Sequence, residues 1–320
     1  MKSNRVCILG GTGFVGRHLT AHLSALGIAC RIPSRHPERH AALTLAGQAE
    51  GMVRADITDP KQLRRAIRGC DAVINLVGIL NEHGRGDRFQ RLHVQFADSL
   101  IQACKDCRVQ RLLQMSALNA SQIGGRISSY LRSKGEAENH ILTLSQGNFP
   151  IQITIFRPSV IFGPGDHFFN RFAQLLRLPG PFPLACPNTR FAPVYVKDVA
   201  KAFARALDDQ QTWRRHYELC GPRVLSLQEL VRYTARQLGL CKRIIGLPDP
   251  LSRLQARLFG MLPGRPFTYD NYLSLQIDSI CRQNGLAELG IIATDIDAAV
   301  PQYLAGGNER ERYLALRRQV

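Results

Sequence analysis

Through the first half of the chain, short apolar runs alternate with stretches whose apolar positions recur every three to four residues. That is the pattern of βαβ units around a parallel sheet. Residues 5–10 read as a first strand, followed by a helix over 16–26 that Gly27 closes. Strands are predicted at 28–33 and 51–55, and a short helix over 60–68 stops at Gly69. Residues 71–79 form a continuous apolar run, as a strand covered on both faces requires. A long amphipathic helix (89–107), a strand (111–116), a helix (128–145) and a strand (151–156) complete the alternation.

After Arg157 and Pro158 the texture changes. Pro179, Pro181, Pro183, Pro187 and Pro193 punctuate a loop-rich stretch around one helix, 168–178. Residues 194–198 lead into a helix ending at Leu207, with Asp198 read as its cap. Residues 217–220 look like a returning strand, and Ser226 with Glu229 forms a capping box. From residue 221 helices dominate. The expected fold is α/β: a Rossmann-type doubly wound parallel sheet with a smaller, mainly helical C-terminal domain. The expected domains are 1–162 with 194–220 returning to it, and a substrate-side domain of 163–193 and 221–320.

Composition narrows the class. Hydrophobic residues make up 45% and charged residues 21%, as in ordinary soluble globular proteins. No apolar run approaches ~18 residues, so no spanning helix is expected. The N-terminal run Val6–Leu9 is too short for an export signal, and with an odd count of 9 cysteines this points to reduced thiols in the cytoplasm. Cys104 and Cys107 form a lone CxxC without further ligands, read as two helix-surface thiols rather than a metal site. The 42 basic residues, nearly all arginine, exceed the 25 acidic ones and leave a formal charge of +17. The arginines are dispersed, with no dense arm or aromatic-interleaved sheet, which argues against nucleic acid. A phosphorylated cofactor, an acidic protein or a peripheral face on the cytoplasmic membrane suits the charge better.

Gly10, Gly13 and Gly16 fall between the first strand and helix. Such a loop turns tightly, lets backbone approach a pyrophosphate and presents the free amides of a helix start. Thr12, Phe14 and Val15 belong to the same loop. At the end of the second strand an acid would select NAD through the ribose hydroxyls. Here Arg35 stands in that place, with Ser34 and Arg39 beside it, and a guanidinium grips a 2′-phosphate that a carboxylate would repel. The expected cofactor is therefore NADP(H) in preference to NAD(H). Asp56 and Ile57 are placed near the adenine, and Leu76, Val77 and Gly78 along the cofactor.

Tyr130 and Lys134 share one face of a predicted helix. A neighbouring ammonium favours phenolate, so Tyr130 is expected to have a lowered pKa and to serve as general acid or base. GGTGFVG (10–16), Tyr130 with Lys134, FRPSVIFGPGD (156–166) and VYVKDVAKA (194–202) together resemble extended short-chain dehydrogenases. SALNA (116–120), SSYLRSKGEAE (128–138), the run 156–172 and GPFPL (180–184) are more narrowly similar to one branch. That branch contains the NADPH-binding accessory subunit of mitochondrial respiratory complex I and its bacterial relatives.

The resemblance implies a tightly held NADPH, a location near a quinone-reducing machine, and relatives linked to ubiquinone biosynthesis. It places Tyr130, Lys134 and Ser116 at the reacting end and Pro158 against the cofactor. Active extended enzymes carry a hydroxyl where this chain has Leu118, and often an Asn where it has His93. Two readings stay open. One is a binder that uses NADPH for structure or specialised redox within a respiratory or quinone-synthesising assembly. The other is an NADPH-dependent oxidoreductase acting on a carbonyl or quinone-related substrate. His167, after the 163–166 loop, is a candidate substrate contact. Leu251, Leu254, Leu258 and Leu262 recur at helical spacing beside Arg253 and Arg257, a stripe expected to pack on its own domain although a membrane interface would also suit it.

Overall fold

The computed structural model describes residues 3–43, 51–78, 90–120, 128–147, 149–262 and 267–304. Ile79 and Phe89, at the edges of two predicted elements, lie outside these residues. In chain order the elements begin β1 (Arg5–Leu9), α1 (Phe14–Ala25), β2 (Ala29–Ser34), β3 (Gly51–Arg54), α2 (Pro60–Ile67) and β4 (Ala72–Asn75). There follow α3 (Phe96–Asp106), β5 (Arg111–Met115), α4 (Ser129–Leu144), β6 (Gln152–Pro158), β7 (Ile161–Phe162) and α5 (Phe169–Leu176). Next come β8 (Phe182–Leu184), β9 (Arg190–Phe191), β10 (Val194–Tyr195), α6 (Val196–Asp208), β11 (Arg215–Leu219) and β12 (Leu225–Ser226). The last are α7 (Leu227–Gln237), β13 (Ile244–Gly246), α8 (Asp249–Met261), α9 (Tyr269–Ser274), α10 (Gly285–Glu288) and α11 (Ile296–Leu304).

Seven strands form one sheet in the order β11-β6-β5-β4-β1-β2-β3, and every neighbouring pair is parallel. This is the doubly wound arrangement that the alternating pattern predicts. The order reverses between β1 and β4, and in such sheets ligands sit outside the carboxyl ends at that switch point. Helix α3 does not begin as expected. A π-helical turn at Gln90–Gln95 precedes it and carries His93.

Two compact units divide the chain: residues 1–158, 197–219 and 281–292 in the first, and 159–196, 220–280 and 293–320 in the second. The first buries Cys7, Leu9, Val73, Leu100, Leu112 and Ile153 between sheet and helices. Cys104 lies in this core, which corrects the expectation of two surface thiols; its neighbour Cys107 is partly buried. The second unit packs an aromatic core of Phe162, Phe169, Phe191 and Tyr233 around α5 and α7. In it the buried Asp166 ties one loop together, accepting the amides of Gly163, Phe168 and Asn170 and the Tyr303 hydroxyl. His167 beside it is exposed.

Two further expectations change. Cys220 and Cys281 are disulfide-bonded, so the thiols are not all reduced; the remaining seven cysteines are free. Asp198 lies inside the first turn of α6 rather than ahead of it. It is fully buried there and accepts a 3.0 Å bond from Lys201.

Candidate cofactor and active site

The loop from β1 to α1 closes at positions where only glycine fits, Gly10 and Gly16. Gly10 has φ +79, and a Cβ there would stand 3.2 Å from the Leu76 carbonyl carbon at the end of β4. A Cβ on Gly16 would lie 2.5 Å from Gly10 O and 2.6 Å from Gly11, so helix and loop could not close up. Gly13 caps α1 without any side-chain hydrogen bond, which leaves the first amides of the helix without an internal partner. The cradle thus has the shape and the donors that a diphosphate needs. Thr12, Phe14 and Val15 are partly buried along it.

The neighbouring strand end is held by side chains. Asn75 Nδ2 donates to Gln114 Oε1 at 2.8 Å, and Asn75 Oδ1 accepts the Val77 amide at 3.1 Å. This buried pair fixes the course of Leu76, Val77 and Gly78 beside the glycine loop. Sequence reading missed it, because amides inside an apolar run leave no signal in the pattern.

Ser34 ends β2 and accepts the His36 amide at 3.2 Å. Arg35 and Arg39 are exposed. Asp56 accepts the Thr58 hydroxyl at 2.7 Å and its amide at 3.0 Å, and these bonds, followed by the Arg35 charge, hold its carboxyl below the usual range. Arg35 and Asp56 therefore share the rim formed by the ends of β2 and β3, with Ile57 partly buried next to Asp56.

Ser128 caps α4 through a 3.1 Å bond from the Leu131 amide, so Tyr130 falls in the first turn and Lys134 one turn later. Lys134 is buried, and its ammonium donates to Val77 O and Met115 O, both at 3.4 Å. Desolvation pulls its pKa down to about 8, against the supporting charge of Glu138. Glu138 is itself buried and accepts Arg157 Nε at 3.0 and 3.1 Å. The spacing of four residues was the available signal for the Lys134–Glu138 interaction, whereas nothing marked Arg157.

Tyr130 does not have the lowered pKa expected from its lysine. Burial of the phenol pushes it up to about 12. His93 packs edge-on against the Tyr130 ring, centroids 6.0 Å apart. The Ser133 hydroxyl lies 2.8 Å from Tyr130 O and 2.8 Å from His93 Nδ1, and its single hydrogen can serve only one of the two. Desolvation and the Lys134 charge keep the imidazole neutral, its pKa lowered to about 3. Its Nε2 faces the Gly78 backbone, where a Cβ would lie 3.5 Å from it and 2.8 Å from Lys134 Nζ.

Ser116 follows β5, and its buried hydroxyl has no hydrogen-bond partner among the described residues. Leu118 is buried two positions on, and its amide donates to Pro158 O at 3.1 Å. The structure therefore brings the glycine loop, Leu76–Gly78, Ser116, Tyr130 and Lys134 to the carboxyl ends of β1, β4 and β5. Arg35, Ser34, Arg39 and Asp56 stand at β2 and β3.

The profile of the NAD dependent epimerase/dehydratase family matches residues 6–220. The chain belongs to that family. It is 32% identical over 308 residues to "NADH dehydrogenase [ubiquinone] 1 alpha subcomplex subunit 9, mitochondrial" of Rattus norvegicus, covering 91% of this chain and 77% of that one. The protein of the same name in Arabidopsis thaliana is 30% identical, covering 87% and 71%. A "Ceramide reductase" of Caulobacter vibrioides is 27% identical, covering 77% and 74%. Among solved structures, "Crystal structure of gox2253" superposes with a TM-score of 0.75 at 21% identity, covering 94% of this chain and 97% of the other. "MoeE5 in complex with UDP-glucose and NAD" gives 0.72 at 17% identity, covering 97% and 99%. These last two likenesses show the shared fold. Family membership, the glycine cradle and the orphan Ser116 hydroxyl agree with a nicotinamide dinucleotide as the group the site accepts.

Proposed function

We propose that this family member holds NADP(H) in preference to NAD(H), and that it serves a respiratory or quinone-synthesising assembly at the membrane. The cofactor is retained for structure or for specialised redox chemistry. The observation that carries the reading is Arg35, exposed at the end of β2 where an NAD site would present a carboxylate. Gly10, Gly13 and Gly16 would hold the diphosphate, Arg35 with Ser34 and Arg39 the 2′-phosphate, and Asp56 with Ile57 the adenine. Leu76, Val77, Gly78 and Pro158 would line the cofactor, with Lys134 and Tyr130 at its nicotinamide end. The cofactor-binding part would be residues 1–162 with 194–220, joined by 281–292 from the same compact unit, and the remainder the substrate side. The similarity to complex I subunits over most of the chain supports the kind of assembly.

When bound, such a cofactor supplies a hydride donor or acceptor. The chain's own groups are set for binding more than for taking a proton from a substrate. Tyr130 stays protonated with a pKa of about 12, His93 is neutral, and Leu118 fills the place of a hydroxyl that would orient a substrate oxygen. A second reading, a reductase acting on a carbonyl or quinone-related substrate, is favoured by one observation. The Ser116 hydroxyl is buried and has no partner among the described residues, a cost of about 1–3 kcal/mol that a substrate carbonyl would relieve.

Absorbance of purified protein in the reduced-nicotinamide band separates the two. The first reading expects NADPH that survives gel filtration and is not consumed by added quinones or carbonyls. Turnover that Tyr130→Phe abolishes would replace it with the second.

A further inference from the structure

Helix α8 turns its small residues inward and its leucines outward. Ser252 and Ala256 are its buried positions, whereas Leu251, Leu254, Leu258 and Met261 are 48%, 50%, 54% and 82% exposed. Their spacing puts all four on one face. Ile245 in β13 and Leu262 just after the helix are also apolar and open to solvent, 40% and 48% exposed. A helix built only for its own unit does the reverse, so the expectation that this stripe packs on its own domain is overturned. An exposed apolar helix face of this kind marks a binding face.

The charges around it are one-sided. Between residues 242 and 262 the bases are Lys242, Arg243, Arg253 and Arg257, and the single acid is Asp249. Asp249 is already engaged by Arg253 at 3.2 Å and by the Tyr272 hydroxyl. Arg243 and Arg257 are exposed. Tyr269, 36% exposed, lies with its ring 5.8 Å from the Arg257 guanidinium. Leucines on one face, arginines on the adjoining one, and an amphipathic tyrosine beside them are the elements of a helix lying in a bilayer interface.

We infer that residues 245–262 form a docking surface for an anionic bilayer, with the leucines at the acyl boundary and the arginines against lipid phosphates. The formal charge of +17 on the whole chain favours the same partner. This deepens the membrane side of the proposed function, on which it rests for context. It uses none of the cofactor residues, so the two readings fail separately.

The test is co-sedimentation of the full chain with vesicles of phosphatidylcholine mixed with phosphatidylglycerol, or of phosphatidylcholine alone, at low and high salt. Wild-type protein should bind the anionic vesicles and lose most of that binding on neutral lipid or in high salt. The double variant Leu254→Gln/Leu258→Gln should lower partitioning on the order of tenfold or more, and Arg243→Gln/Arg257→Gln about fivefold per arginine. Both variants should keep the wild-type unfolding midpoint and NADPH affinity, since the altered side chains are exposed and far in sequence from the cofactor residues. Unchanged partitioning of the leucine variant would overturn the inference, as would absence of vesicle binding by the wild type. So would a concentration-dependent dimer that the leucine substitutions dissolve, because a second copy would then be the occupant.

Discussion

Arg35 and Lys134 govern opposite ends of the proposed cofactor site by different physics. Arg35 is exposed and acts through geometry, a planar donor fork offered at the rim of β2 and β3. Arg35→Ala should weaken NADPH binding by about 1.5–3 kcal/mol, the worth of charge-assisted hydrogen bonds, and leave NADH affinity nearly unchanged. An unaltered NADPH-to-NADH ratio in paired titrations would remove the arginine from the argument. Lys134 acts through burial. Its pKa is about 8 in the folded protein and ~10.4 in the unfolded chain. Between those values the unfolded state keeps a proton that the folded state has released, so stability rises with pH. Relative to Lys134→Met, the wild type should gain about 1.4 kcal/mol per pH unit from pH ~8 to ~10 in urea unfolding. A flat difference would mean that the ammonium is better solvated than its surroundings indicate. Spacing alone could place Tyr130 and Lys134 on one face. It could not give the sign of the tyrosine shift, because desolvation depends on what the fold packs around the phenol.

Among the elements, α1 was the most legible, since glycines punctuate it at both ends for separate reasons. At its end the Ile28 amide bonds Leu23 O at 3.0 Å and the Gly27 amide bonds Ser24 O at 2.9 Å, a Schellman closure with Gly27 at φ +76 in open space. At its start Gly16 is pressed against loop backbone. Gly27→Ala should therefore cost only the left-handed strain, about 1 kcal/mol. Gly16→Ala should cost about 3 kcal/mol or more through forced backbone displacement, and should weaken NADPH binding as well. Equal midpoints for the two variants in thermal unfolding would contradict a cradle closed by contact. The π-helical turn ahead of α3 was not legible, because its apolar spacing differs from that of an α-helix by less than a six-residue stretch reveals. Nor was the outward face of α8: periodicity identifies a stripe, and only the packed structure tells which side of the helix is buried.

At the scale of the molecule, the parallel sheet followed from the alternation of apolar runs and helical periods, and its switch point placed the glycine loop beside Leu76–Gly78. The Asn75–Gln114 pair, the Glu138–Arg157 pair and the Asp166–Tyr303 contact were invisible beforehand, because each joins residues that are distant in sequence or hidden among apolar neighbours. The disulfide-bonded state of Cys220 and Cys281 likewise contradicts a reading based on cysteine count and leader alone. Everything proposed for function depends on a diphosphate seated at the head of α1 with an additional phosphate at Arg35. Calorimetric titration of cofactor-stripped protein with NADPH and with NADH addresses this directly. The account predicts binding of both, with NADPH the tighter; tighter NADH, or no heat from either at millimolar concentration, would contradict it.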